Sequence, residues 1–127
     1  MKIIRVGKKI DSAAFVVKNK KGEVLVLKRS KESENNPDKW NLPGGGLKKG
    51  ETYKEGAIRE CQEEAGITPK NVKFLGNYGD MAVYIGESDK KPKINEESSK
   101  WKYISKKDIG KLDFVEKTVK VLNKVFN

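Results

Sequence analysis

The residues able to do chemistry in this 127-residue chain gather in one stretch, from Gly44 to Ile67. A helix is predicted over residues 52–65, with Thr52 as its cap and Glu55 three residues on, the capping-box spacing. Gly66 follows where helices commonly stop. At about 100° per residue, Glu60, Glu63 and Glu64 share a sector roughly 100° wide. Ala57, Ile58, Cys61 and Ala65 occupy the neighbouring sector and can pack on a sheet. Three like charges beside a buried face repel one another, so they call for a positive partner. A hard divalent cation bound through oxygen is the natural one, and magnesium suits a site whose shell is completed by substrate phosphates. Glutamate runs are more often solvated helix faces. Gly44-Gly45-Gly46 directly upstream shifts that balance, because glycine lets backbone approach a ligand closely. The chain has no histidine, so acid–base or metal chemistry must use carboxylates.

Positioning such a helix requires a sheet. Residues 12–18 and 23–29 read as two strands joined by turn chemistry at Asn19-Lys20-Lys21-Gly22, a hairpin. Their near-continuous apolar runs point to a sheet covered on both faces. Residues 30–39 read as a polar surface loop, 72–78 and 81–85 as two further strands, and 101–104 as a short one. The polar segment 87–99 reads as a mobile loop. In the tail, 113–127, Val115, Val119, Leu122 and Phe126 stand at helical spacing, a packing face with lysines opposite. Strands with one helix among them and one at the end predict an α/β fold, a mixed sheet with helices on both sides. The length suits a single domain, 1–127.

Composition removes several classes. No apolar run approaches the roughly 18 residues of a membrane span, and Met1-Lys2-Ile3-Ile4-Arg5 is too short in its apolar part for a secretory signal. The single Cys61 cannot form an intrachain disulfide, and no thiolate cluster exists for zinc. A cytoplasmic protein without membrane contact is expected. The net charge of +10 would attract polyanions, although scattered surface lysines that keep a small domain soluble are the plainer account.

The segment from Gly45 to Ile67 resembles the Nudix box, Gly-x5-Glu-x7-Arg-Glu-U-x-Glu-Glu-x-Gly-U with U aliphatic. Gly45, Glu51, Arg59, Glu60, Glu63, Glu64, Gly66 and Ile67 fit at the required spacing, a coincidence of roughly one window in 10⁸ by chance. Cys61 departs from the pattern, where an aliphatic residue is usual. Trp40-x-Leu42-Pro43-Gly44-Gly45 looks like the usual lead-in, and Trp101 resembles a common downstream tryptophan. The chain is therefore identified as a member of the Nudix hydrolase family, MutT-like, with the box at 45–67. The resemblance implies an α/β/α sandwich around a mixed sheet, and hydrolysis of a diphosphate linkage with Mg²⁺, or Mn²⁺ in its place. It also implies roles. Glu60, Glu63 and Glu64, joined by the Gly44 carbonyl, would ligate metal; Arg59 would orient them; Glu51 would hold the loop-helix-loop together. The general base is Glu60 or a glutamate before the downstream tryptophan, Glu96 or Glu97.

Substrate residues lie outside the box. Arg29 could contact phosphate, Asn41 could read a base edge, and Trp40, Tyr84 and Trp101 could stack on a base, although sheet aromatics are more often core. Tyr84 stands 17 residues past the box, where some dinucleoside-polyphosphate hydrolases carry a tyrosine. The proline many ADP-ribose hydrolases carry near there is absent. The expected substrate is a nucleoside triphosphate, oxidised ones included, or a dinucleoside polyphosphate. The alternatives are an ADP-ribose or nucleotide-sugar pyrophosphatase, an RNA-decapping enzyme, or a non-catalytic Nudix-like nucleotide-binding module. Monomer and homodimer are both open.

Overall fold

The computed structural model describes residues 9–127, so the reading of Met1–Arg5 lies outside the described residues. Strand β1 is Ser12–Lys18 and β2 is Val24–Arg29. In the turn between them, Asn19 Oδ1 accepts the backbone N–H of Lys21 and of Glu23 at 3.1 and 2.9 Å. Gly22 closes the turn at φ +76°, a left-handed conformation open to glycine at little cost. The two strands meet antiparallel at Lys18 and Val24. Each then takes other partners.

The remaining strands are β3 (Trp40–Asn41), β4 (Gly44–Gly46), β5 (Lys70–Tyr78), β6 (Met81–Glu87) and β7 (Ser98–Ile104); the helices are α1 (Tyr53–Ala65) and α2 (Glu116–Val125). Among the described residues the sheet has seven strands in the order β3-β2-β1-β6-β5, with β4 added to β1 and β7 to β2. It is mixed: β1 and β6 run parallel, from Ser12 beside Met81 to Lys18 beside Glu87, and the other strand pairs are antiparallel.

Alternation along β1 and β2 assigns each face its core. Ala13, Phe15, Val17, Leu25 and Leu27 pack against Ala57, Cys61 and Ala65 of α1. Ala14, Val16, Val24 and Val26 pack with Val121 and Leu122 of α2. The helices thus cover opposite faces, an α/β/α sandwich, which is why both strands read as unbroken apolar runs. Each fully buried Leu, Val or Phe contributes roughly 1.5–3 kcal/mol.

Two expectations change. The segment before β7 is fastened to the end of α1, not loose. Lys93 donates its backbone N–H to Ala65 O at 2.8 Å, and Asn95 Nδ2 donates to Glu63 O at 3.0 Å. Helix-terminal carbonyls have no partner within the helix, and this segment supplies one. The tail helix begins at Glu116, later than 113, because Trp40 donates its N–H to Asp113 O and Val115 donates back to Trp40 O, holding 113–115 alongside β3. Its buried face is accordingly Thr118, Val121 and Leu122, while Val119 and Phe126 pack at the margin.

Candidate active site

Helix α1 starts as its sequence predicts. Thr52 Oγ1 accepts the Glu55 N–H at 3.1 Å and Glu55 Oε1 accepts the Thr52 N–H at 2.9 Å, while Gly66 ends the helix at φ +65°. The helix packs on β1 and lies along β4, which brings Glu60 and Glu64 against Gly44–Gly46.

The glycines are required for different reasons. At Gly44 a Cβ would lie 2.7 Å from Ala13 O and 2.7 Å from Ala14 Cβ, so the neighbouring strand backbone demands its absence. At Gly45 a Cβ would collide with the Glu60 carboxylate. The three glycines form β4, antiparallel to β1 with Gly44 opposite Ala14.

The positive partner demanded by clustered carboxylates is partly internal. Arg59 Nε donates to Glu51 Oε2 at 2.6 Å and Nη2 to Glu51 Oε1 at 3.0 Å, a two-point pair. Arg59 Nη1 reaches Glu60 Oε1 at 2.5 Å and Glu63 Oε2 at 3.0 Å, and Nη2 also reaches Gly46 O at 3.0 Å. The Glu51 hydrogen bonds, despite some desolvation, hold the Arg59 pKa above its ordinary value. The same contact, with the Lys48 backbone N–H, takes Glu51 down to about 2.

Glu64 is treated differently. Its side chain is buried, Oε2 accepts the Gly44 N–H at 3.1 Å, and no cation is paired with it among the described residues. Burial first, then a side-chain hydrogen bond with Glu60 and repulsion from its charge, push the Glu64 carboxyl well above the usual range, against the lowering effect of the Gly44 N–H. Glu63 lies on the helix's outer side, between Arg59 and Lys48, whose Nζ is 3.9 Å away. The three carboxylates therefore do not converge: among the described residues no group of three His, Cys, Asp or Glu stands in a metal-holding arrangement. Glu60 and Glu64 come together; Glu63 stands off.

A cleft of about 450 Å³ opens over this pair, with Gly44, Gly45, Asn41, Arg29 and Glu97 in its walls. Arg29 is anchored there by Nε donating to Asn35 O at 2.8 Å. Of the two glutamates before β7, Glu97 reaches the cleft, while Glu96 is exposed and outside its lining. Trp40 is a core residue beside Phe114, outside that lining. Tyr84 lies against Phe74, ring centroids 5.3 Å apart, also away from it. Ser33, Asn35 and Ser98 also line the cleft. No sequence signal marks them, because their positions depend on where a polar loop folds back.

A second hollow of about 240 Å³ shares Arg29, Asn41, Gly44 and Gly45 with the first and extends to Met81 and Thr118. At its rim Lys117 is paired with Asp80. The two hollows adjoin at these four shared residues, one beside the α1 carboxylates and the other at the start of α2.

The chain is 34% identical over 68 residues to the 8-oxo-dGTP diphosphatase of Escherichia coli, covering 54% of this chain and 52% of that protein. It is 32% identical over 73 residues to the RNA pyrophosphohydrolase of Hydrogenovibrio crunogenus, covering 58% and 41%. The matches thus span about half, or less, of those proteins' lengths. Among solved structures, the MutT protein of Methanosarcina mazei superposes with a TM-score of 0.78 at 29% identity over 94% of both chains. The NUDIX domain of Shewanella oneidensis NrtR, crystallised with ADP ribose, shares the fold at 16% identity, with a TM-score of 0.75 over 94% of this chain and 87% of that one. The family model described as the NUDIX domain matches residues 8–125, all of the sheet and both helices included, and the chain belongs to that family.

Proposed function

We propose that this protein is a pyrophosphohydrolase that uses water to split the diphosphate linkage of a nucleoside triphosphate or dinucleoside polyphosphate, with Mg²⁺ as its cofactor. The observation that carries this reading is the Glu60–Glu64 pair in a cleft that Arg29 and Asn41 also line. The relatives named 8-oxo-dGTP diphosphatase and RNA pyrophosphohydrolase support this reading.

The donor set fits a hard divalent cation. It is all oxygen, and the buried Glu64 lacks a cationic partner that a cation would supply. Glu60 and Glu64 would hold the ion with the Gly44 carbonyl, Glu63 standing one turn along and engaged by Arg59 and Lys48. Bound there, the ion would neutralise diphosphate oxygens and lower the pKa of a water. The chain's own groups do the rest. Arg59 steadies Glu60 and ties it to the loop through Glu51. Arg29, also in the cleft lining, holds phosphate. The hollow toward Thr118 receives the nucleoside, with Asn41 at the junction. Glu97, on the cleft wall, is placed to take the proton of an attacking water; Glu60, held by Arg59, is less free to do so.

The test is hydrolysis of a panel of oxidised and ordinary nucleoside triphosphates, diadenosine polyphosphates, ADP-ribose and capped RNA in Mg²⁺, with the Glu64→Gln variant alongside. Turnover of a triphosphate or dinucleoside polyphosphate that falls at least about 10²-fold in Glu64→Gln is expected. Equal turnover by the variant would remove Glu64 from the metal site. Preference for ADP-ribose would replace the substrate reading.

A further inference from the structure

The hollow beside α2 differs in charge from the cleft it adjoins. Glu34, Glu60, Glu64 and Glu97 line the cleft. Among the described residues no carboxylate lines the hollow, whose charged residues are Arg29, shared with the cleft, and Lys117. The end away from the cleft is formed by the start of α2, through Val115, Lys117 and Thr118. The N–H groups in a helix's first turn have no partner within the helix and give its N-terminus a partial positive charge. Val115, the cap residue, makes no side-chain bond to them.

Thr118 gives an independent sign of a ligand. It is 3% exposed, and its hydroxyl has no hydrogen-bond partner among the described residues. A helical threonine can return its hydroxyl to the carbonyl four residues back; this one does not. Among the described residues, every side-chain polar atom sealed from solvent has a partner. The Thr118 oxygen must therefore open onto the hollow that the residue lines. A hydroxyl buried in this way is costly until something bonds it.

Helix N–H groups, a hydroxyl and an ammonium at one end of a hollow are a set of donors. The edge of a nucleobase mixes donors with acceptors, whereas an ionised phosphate offers acceptors and charge. Helix N-termini suit such anions. Lys117 is paired with Asp80, but both side chains are half-exposed, so the ammonium can turn toward the hollow without leaving a buried charge behind.

We propose that the α2 end of the hollow is an anion subsite for a second phosphate of the substrate, a monoester on the sugar, separate from the diphosphate held in the cleft. The Thr118 hydroxyl and the N–H groups of Glu116 and Lys117 bond its oxygens, and the Lys117 ammonium balances its charge. This rests on the pyrophosphohydrolase reading and narrows its substrate to a nucleotide phosphorylated at two places.

The experiment measures binding, which needs no turnover. By isothermal titration calorimetry, adenosine 3′,5′-bisphosphate should bind at least about ten-fold tighter than adenosine 5′-monophosphate, through charge-assisted hydrogen bonds to the added phosphate. The base is common to both ligands and cancels in the ratio. Lys117→Gln and Thr118→Val should each reduce that ratio at least about three-fold. Lys117 is exposed and valine has the shape of threonine, so both variants should fold, as thermal denaturation will check. Inorganic phosphate added to the wild type should shift the backbone amide resonances of Glu116, Lys117 and Thr118. A ratio near one in the wild type, or phosphate shifts that spare α2, would overturn the proposal. So would a ratio kept by both variants, including an equal loss of both ligands in Thr118→Val, which would make the hydroxyl a contact to the nucleoside.

Hydrolysis in Mg²⁺ separates this inference from the reading beneath it. Where the bisphosphate is preferred and the variants lose that preference, yet no diphosphate compound is cleaved, the subsite stands and the pyrophosphohydrolase reading falls. Where a nucleoside triphosphate is cleaved and the binding ratio is near one, that reading stands and the subsite falls.

Discussion

Replacing Gly45 by alanine tests the site without altering any charged group. Gly45 is outside the left-handed region, so its backbone accepts alanine without strain. The added methyl would occupy the space of the Glu60 carboxylate, which must swing aside. Only 13% of the Glu60 side chain is exposed, so the swing is confined, and it breaks the 2.5 Å pairing with Arg59. A hydrogen bond between charged groups is worth about 1.5–3 kcal/mol. Arg59 keeps Glu51, Glu63 and Gly46, so a net destabilisation of about 1 kcal/mol is expected, a fall of about 4 °C in Tm. Activity should suffer more, by about 10–100-fold, as when a group that orients a metal ligand is removed. Gly44→Ala makes the opposite comparison, since its methyl meets the backbone of β1 and should cost about 1–3 kcal/mol in stability. Thermal denaturation and Mg²⁺-dependent hydrolysis, run on both variants, separate the two effects. Full activity in a well-folded Gly45→Ala protein would refute the claim that the Glu60 carboxylate must stay where β4 allows it.

Other outcomes follow from the same arrangement. Because the Glu51 pKa is depressed to about 2 by Arg59 and the Lys48 N–H, its stabilising contribution is present above its unfolded value near 4.5 and is lost as pH falls through about 2. Glu51→Gln should therefore flatten acid unfolding in that window, as followed by circular dichroism, and a curve identical to wild type would contradict the pairing. Burial, with a smaller part from Glu64, pushes the Cys61 thiol up to about 12, so a thiol reagent at neutral pH should titrate none in the native protein and one after denaturation. Rapid native labelling would place Cys61 outside the core.

Features written in short stretches of sequence were legible. The ends of α1 follow from Thr52, Glu55 and Gly66, and the two-faced burial of β1 and β2 from their unbroken apolar runs. Features set by distant contacts were not. Helical geometry places three glutamates in one sector, yet it does not reveal that Arg59 draws Glu63 outward while Glu64 turns inward to the Gly44 N–H. Tyr84 sits opposite Phe15 in the β1–β6 register, which sends it to the α1 face beside Phe74; that register is invisible along the chain. Trp40 belongs to the core because a bridge to Phe114, far away in sequence, fixes it there.

The pairing pattern also constrains when the protein can be assembled during synthesis. Strand β1 must wait for β6, whose last residue is Glu87, and β2 for β7, which ends at Ile104. Until β7 has left the ribosome, α1 and its carboxylates stand beside an unfinished sheet. Such long-range closures slow folding, so the N-terminal apolar strands remain open to wrong partners until most of the polypeptide has emerged.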